Sequence, residues 1–278
     1  MEKIQGQNQL ANDVKRIFDI YRNSLGTVRP HFILTGPSGS GKTHTIKAFC
    51  EAYKVNFLEI NAAALTKEGT SGNSLSKALT PLLQFQNQLT VCFVDEFDKL
   101  FISGNSNSDL AHETTNGVQN EFLKVLESDK ASVFGDYGKY ISANVGNVLF
   151  IFAGAFNGEE DVTIDKLREY GMKTEFLGRV GLVFNAQKLK LESLFAILDK
   201  SELLESYLNL FPNLKREDVI STLRTHLTKN YEHNTLGARS IHTLIHQYFI
   251  RDGKLEDDIA KKSTFQKEIT PMQFGETK

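Results

Sequence analysis

The stretch that most constrains this chain is Gly36-Pro37-Ser38-Gly39-Ser40-Gly41-Lys42-Thr43, which reads G-x-x-x-x-G-K-T without a departure. His31-Phe32-Ile33-Leu34-Thr35 precede it as a short β-prone apolar run, and Thr43 to Tyr53 read as a helix. Strand, glycine-rich turn and helix start are the context that a phosphate-binding loop requires. A triphosphate has no shape that side chains alone can wrap, so backbone N–H groups must surround it. Glycines at 36, 39 and 41 let the chain curl closely, and the helix start adds free N–H donors and a positive dipole end. The expected nucleotide-binding set is Gly36, Pro37, Ser38, Gly39, Ser40, Gly41, Lys42, Thr43 and the adjoining His44. Lys42 supplies a point charge for the β- and γ-phosphates of ATP, and the Thr43 hydroxyl can ligate Mg²⁺. A chance glycine-rich turn is the plain alternative, and it leaves the flanking strand and helix unexplained.

Val91-Cys92-Phe93-Val94-Asp95-Glu96 is the second informative stretch. Four apolar residues ending in two acids fit a strand buried on both faces of a parallel sheet. Ligands of open α/β sheets sit at the carboxyl ends of the strands, so this end belongs beside the phosphate loop. Asp95 can then hold Mg²⁺, and Glu96 can polarise the water that attacks the γ-phosphate. Alone, the pair reads equally well as a solvated acidic turn.

Composition excludes little and directs less. The chain has 278 residues, 40% hydrophobic and 24% charged, with a net charge of −2. Those are the proportions of a globular protein with room for two domains, and not those of a bulk nucleic-acid or membrane binder. Cys50 and Cys92 lie in apolar runs without metal-ligand spacing, so they read as buried thiols. Residues 1–6 show no apolar h-region and the longest apolar run, 148–156, is too short to span a bilayer. A reducing cytoplasm is the expected setting.

Taken in order, apolar spacing at Leu10, Val14, Ile17, Phe18 and Tyr21 predicts a helix over 8–23. Further strands are expected at 31–35, 55–60, 147–153 and 182–184, with helices at 75–83 and 118–126. Residues 102–117 read as a long polar loop, and His112 and Glu113 in it as solvated. Residues 133–145 alternate aromatics and glycines, as a hairpin or an exposed loop. From about 186 the periodicity is helical only, over 192–210, 216–229 and 237–250, which marks a domain boundary. The expected architecture is therefore α/β: a nucleotide-binding domain over 1–185 with a parallel sheet and flanking helices, and a small helical lid domain over 186–278.

Several stretches in sequence order together resemble the AAA+ P-loop NTPases, and among them the Clp/HslU unfoldase ATPases of ClpX-like type. Val94-Asp95-Glu96-Phe97-Asp98-Lys99-Leu100 is similar to that group's Walker B signature; Gly117-Val118-Gln119, to its next block. Leu149-Phe150-Ile151 through Gly154-Ala155-Phe156 is similar to its fourth strand. Glu175-Phe176-Leu177-Gly178-Arg179 resembles its arginine-finger box, and Leu236-Gly237-Ala238-Arg239-Ser240-Ile241-His242 its sensor-2 motif. Ile4-Gln5-Gly6-Gln7 is similar to the segment that closes over the adenine, which places Ile4 in the nucleotide set. The resemblance implies catalytic roles for Glu96, Lys42, Arg179 and Arg239, with Thr43 and Asp95 at Mg²⁺. Arg179 is implied to reach the γ-phosphate of a neighbouring subunit, Arg239 that of its own. Asn157 is a candidate for the sensor at the end of the 147–153 strand.

The departures direct the functional reading. The family's polypeptide-gripping loop carries an aromatic residue between glycines, and Gly69-Thr70-Ser71-Gly72 has none. A ring grips by bulk; Thr and Ser offer hydrogen bonds and little bulk. The family's zinc-binding N-terminal domain, its Ile-Gly-Phe docking loop and its apolar C-terminal tail have no counterpart in the sequence. The first expectation is an ATP-hydrolysing homo-oligomeric ring, a hexamer, that remodels a protein partner without docking on a peptidase. A nucleic-acid-handling ATPase is the second, disfavoured by the net charge and by the lack of a Lys/Arg cluster in the pore loops. A nucleotide-timed assembly switch is the third.

Overall fold

The computed structural model describes residues 8–66, 73–101, 109–135 and 138–255, with backbone alone for residues 8 and 109–116. They fall into two compact units, one comprising residues 1–37 and 41–187, the other 38–40 and 188–278.

The first unit is built on a five-stranded parallel sheet. Its helix α1 (Asn8–Asn23) is followed by β1 (Phe32–Thr35), α2 (Lys42–Tyr53), β2 (Asn56–Asn61), the short α3 (Leu75–Ala78) and β3 (Thr90–Asp95). Then come α4 (Asp109–Leu126), the strands β4 (Lys130–Phe134) and β5 (Tyr140–Asn144), and β6 (Val148–Ala153). Helices α5 (Ile164–Glu169) and α6 (Thr174–Arg179) and strand β7 (Leu182–Asn185) complete it. The sheet order is β2-β3-β6-β1-β7, with Ile33 level with Phe152 and Thr35 with Asn185. This is the α/β P-loop architecture.

Alternate residues of the central strands feed two cores. Phe32, Leu34, Val91, Phe93, Leu149 and Ile151 pack with α1 and α2 residues such as Phe18, Ile46 and Phe49. Ile33, Cys92, Val94, Phe150 and Phe152 face the other way, toward Phe97, Phe122 and Phe176. A strand buried on both faces must read as a continuous apolar run, and β6 is buried at every position. The Tyr21 hydroxyl ties α1 to the strand starts. It lies 3.0 Å from the Thr90 carbonyl and against that of Asn147, and it accepts from the Thr90 N–H at 2.9 Å.

Several boundaries differ from the sequence-based expectation. The helix expected over 75–83 breaks after α3 and resumes as a 3₁₀ turn at Thr80–Leu83. Pro81 lacks the N–H that would continue it and disfavours α geometry at Thr80. The part of the loop expected over 102–117 that is described, residues 109–117, is helical: it belongs to the 18-residue α4, whose later turns are anchored by buried Val118 and Phe122. Within 133–145, expected as a hairpin or an exposed loop, β4 and β5 pair antiparallel with Phe134 opposite Tyr140. Helices α5 and α6 have no counterpart among the expected elements.

The second unit's helices are α7 (Leu191–Asp199), α8 (Glu202–Leu210), α9 (Arg216–Asn230) and α10 (Arg239–Ile250). The helix expected over 192–210 is two, because the Ser201 hydroxyl accepts from the Leu204 N–H at 3.3 Å and caps a new start. Leu194, Leu198, Leu204, Leu223, Ile241 and Ile245 form the core, and the Tyr207 ring stacks on Phe249 at 4.5 Å.

Candidate functional site

The carboxyl ends of β1, β3, β6 and β7 lie on one edge of the parallel sheet, and the loops leaving them carry most of the polar residues expected to bind and cleave the nucleotide. Gly36 leaves β1 at φ 129°, and a Cβ there would stand 2.2 Å from the Ala186 carbonyl oxygen. The exit of β7 therefore lies against the entry of the loop, and only glycine fits. Gly41, at φ 88°, caps α2 with open space around its Cα. Lys42 begins α2, and its ammonium donates to the Gly36 carbonyl at 2.6 Å and the Pro37 carbonyl at 3.1 Å. The side chain thus folds back over the start of the loop.

Across β6 from β1, Asp95 ends β3. The Thr43 hydroxyl donates to its Oδ2 at 3.4 Å, and the Glu96 N–H donates to its Oδ1 at 2.9 Å. Thr43 and Asp95 are 52 positions apart in sequence, so their approach is made by the fold. Glu96 is exposed and left-handed, at φ 55° and ψ 31°. A non-glycine residue there stores about 1 kcal/mol or more. Burial of the next side chain offsets that strain. The Phe97 ring is fully buried, 4.6 Å from Phe152 and 5.3 Å from Phe176. That ring wedge fixes where Glu96 leaves the sheet.

The remaining predicted residues differ in exposure and in partners. His44 is exposed on the first turn of α2. Arg179, at the end of α6, is 56% exposed and pairs with Glu127 at 3.0 Å. Arg239, at the start of α10 in the second unit, donates to the Ser38 hydroxyl of that unit at 3.1 Å. There, the Ala238 N–H donates to the Gly39 carbonyl at 3.0 Å, and a Cβ on Gly39 would strike the Leu236 carbonyl oxygen. Asn157 is exposed just after β6. Ile4 and residues 69–72 lie outside the described residues.

Three residues hold the site together through partners that the sequence does not announce, although Asp98 and Gln119 themselves lie in stretches that carry the family resemblance. Asn185 Oδ1 meets the Thr35 hydroxyl at 2.5 Å and the Val162 N–H at 2.8 Å, tying the last residue of β1 to β7. Gln119, fully buried, accepts from the Lys173 N–H at 3.1 Å and donates to the Gly171 carbonyl at 3.3 Å, fastening α4 to the approach of α6. Asp98 is 1% exposed and accepts from the Phe156 N–H at 3.2 Å. For Asp98 the signal is its place in the Walker B-like stretch, an acid between the apolar Phe97 and Leu100.

The donor set suits a magnesium nucleotide. Among the described residues no group of three or more His, Cys, Asp or Glu could hold a metal by itself. One hydroxyl and one carboxylate, both hard oxygen donors, are what Mg²⁺ takes from a protein when phosphates supply the rest. The Ser40 hydroxyl, 3% exposed, has no hydrogen-bond partner, and a buried orphan in such a loop fits a group that binds an anion.

A parallel sheet with a glycine-rich loop after its first strand and paired acids after another defines a P-loop nucleoside-triphosphatase. Residues 32–168 match the model of the family described as AAA, ATPase family associated with various cellular activities. The ClpX 2 ATP-binding subunit of the ATP-dependent Clp protease of Wolinella succinogenes is 29% identical over 276 residues, covering 86% of this chain and 69% of that protein. The corresponding ClpX of Bacteroides thetaiotaomicron is 27% identical over 261 residues, with 77% and 63% covered. That of Bacteroides fragilis is 28% identical over 227 residues, with 66% and 55% covered. The chain thus spans about two thirds or less of several relatives. It is an AAA+ ATPase, and its sequence is ClpX-like.

Proposed function

We propose that this chain hydrolyses ATP as a subunit of a homo-oligomeric ring, a hexamer, and uses the cycle to remodel a protein partner. The observation that carries the reading is the 3.4 Å approach of the Thr43 hydroxyl to Asp95, which unites the phosphate loop with the acidic strand end. Bound between the loop and this pair, Mg²⁺ would neutralise the phosphate oxygens as charge develops. Lys42 then holds the β- and γ-phosphates, and Glu96 takes the proton of the attacking water. Arg179 acts on a neighbour's γ-phosphate; its exposed pairing with Glu127 is of a kind worth about 1 kcal/mol or less, so it releases easily. Arg239 reports on the nucleotide of its own subunit, a reading supported by its bond to Ser38. Ile4 closes over the adenine by resemblance alone.

A protein partner is favoured by the relatives, named as ATP-binding subunits of a protease, and by the net charge of −2. No described helix is long and apolar enough to cross a membrane, which agrees with action in the cytoplasm. The test is stimulation of the ATPase. An unfolded polypeptide should raise turnover several-fold, and the ATP-loaded Glu96→Gln protein should retain it. Salt-dependent stimulation by single-stranded DNA, with none by polypeptide, would replace this reading with nucleic-acid handling.

A further inference from the structure

Asp98 has no part in the hydrolytic chemistry assigned to Lys42, Thr43, Asp95 and Glu96, yet its carboxylate is among the most deeply buried charged groups in the first unit, 1% exposed. Burying a carboxylate is unfavourable unless specific partners compensate. Among the described residues two groups meet it. Oδ2 accepts from the Phe156 N–H at 3.2 Å, and the Lys99 ammonium stands 3.5 Å from the same oxygen. Oδ1 lies where a Cβ on Gly154 would come within 2.7 Å of it. The chain leaving β6 therefore passes directly over this carboxylate, and glycine at 154 is what lets it pass.

The segment so held has an unusual backbone. Phe156, Asn157 and Gly158 are left-handed in succession, at φ 45°, 60° and 74°. Such a conformation disfavours a bulky residue by about 1–2 kcal/mol, so something must impose it at Phe156. The Phe156 ring is fully buried and its N–H is on Asp98; together they fix both sides of that residue. The consequence falls on Asn157, which this turn leaves exposed at the strand end. That end is bonded to β1, the Gly154 N–H donating to the Leu34 carbonyl at 3.2 Å, two residues before Gly36. Asp98 itself sits in the 3₁₀ turn that succeeds Asp95 and Glu96. The four residues from Asp95 to Asp98 thus carry both acids and the clamp on the neighbouring strand's exit.

We infer that Asp98 is a positioning residue for hydrolysis: through the Phe156 N–H it sets the left-handed turn that places Asn157 relative to Glu96. This rests on the proposed hydrolysis of ATP and assigns that site a residue beyond the phosphate loop and the acid pair. The experiment compares kcat and ATP affinity of Asp98→Ala, Asp98→Asn, Asn157→Gly and the Asp98→Ala/Asn157→Gly pair, each well below its unfolding temperature. Glycine at 157 deletes the amide and keeps the left-handed backbone. Asp98→Ala should lower kcat about tenfold with ATP affinity within about threefold, and Asn157→Gly should do the same. The pair should be no worse than its poorer member, and Asp98→Asn, which keeps an acceptor for Phe156, should recover part of the loss. Wild-type kcat in Asp98→Ala, multiplying losses in the pair, or a loss confined to ATP affinity would overturn the assignment. If Asp98→Ala does not fold, Gly154→Ala decides, since its methyl displaces the carboxylate without removing it: a similar fall in kcat supports the inference and unchanged kcat overturns it. Glu96→Gln run alongside separates the two readings. Loss of turnover there with normal Asp98 variants defeats this inference alone, whereas normal turnover in Glu96→Gln defeats the hydrolysis reading beneath it.

Discussion

Lys42, Thr43 and Gly36 do three separable jobs, and their substitutions should differ in kind. Lys42→Ala removes the only loop charge available to the phosphates, and ATP binding should weaken at least tenfold by equilibrium binding. Thr43→Val keeps the shape and deletes the proposed Mg²⁺ ligand, so the loss should appear in the Mg²⁺ concentration needed for half-maximal turnover. Gly36→Ala should unfold the unit by several kcal/mol, read as a fall in thermal midpoint, because its Cβ would meet a backbone carbonyl that cannot give way. His31, at the opposite end of β1, is tuned by burial and then by the nearby Arg29 charge, which lower its pKa from 6.5 to about 4. Its Nδ1 accepts the Phe150 N–H at 3.0 Å, so the ring is neutral in the fold. The unfolded state takes up the proton first as pH falls. This contribution is therefore complete above pH 6.5 and lost on the way to about pH 4, at most about 3 kcal/mol. Unfolding free energies of the wild type and His31→Gln across that window should converge as pH falls; parallel curves would contradict it. Among residues, the ones legible in the sequence are those whose chemistry is local. A G-x-x-x-x-G-K-T run describes its own geometry, whereas Asn185 and Gln119 act on partners 23 and about 50 positions away, and no spacing announces those partners.

The same division holds among elements. The central strands are legible because full burial forces continuous apolar runs, as at residues 91–94 and 148–152. Helix ends are less so. One serine divides α7 from α8, and one proline shortens α3, each a local interaction that competes with an unbroken apolar period. Removing the first should change it measurably: Ser201→Ala deletes a cap worth about 1 kcal/mol, detectable in the second unit's unfolding. Helix α6 escapes the sequence because a six-residue helix has too few turns to show a period. It is held by packing, with Phe176 stacked on Phe97 and Gln119 gripping the residues before it. That packing also places Arg179 and Glu96 on connected elements, the arginine on α6 and the acid one residue before the ring that α6 rests on.

For the whole molecule the distinguishing expectation is that a site is completed between chains. Arg179→Ala retains Glu96, and Glu96→Gln retains Arg179, so each should be inactive alone for a different reason. Mixed in equal amounts in a closed ring, about a quarter of the sites regain both groups, and turnover should recover toward that fraction. No recovery would place the arginine's action within its own chain or outside the reaction. The central claim is narrower than any ring: the loop at 36–43 and the acids at 95 and 96 serve one bound triphosphate. The most direct measurement is ATP binding and single-turnover hydrolysis by wild type and Glu96→Gln in the presence of magnesium. ATP affinity within about threefold of wild type and turnover slowed about a hundredfold or more is the predicted result. Hydrolysis by Glu96→Gln at the wild-type rate would contradict it.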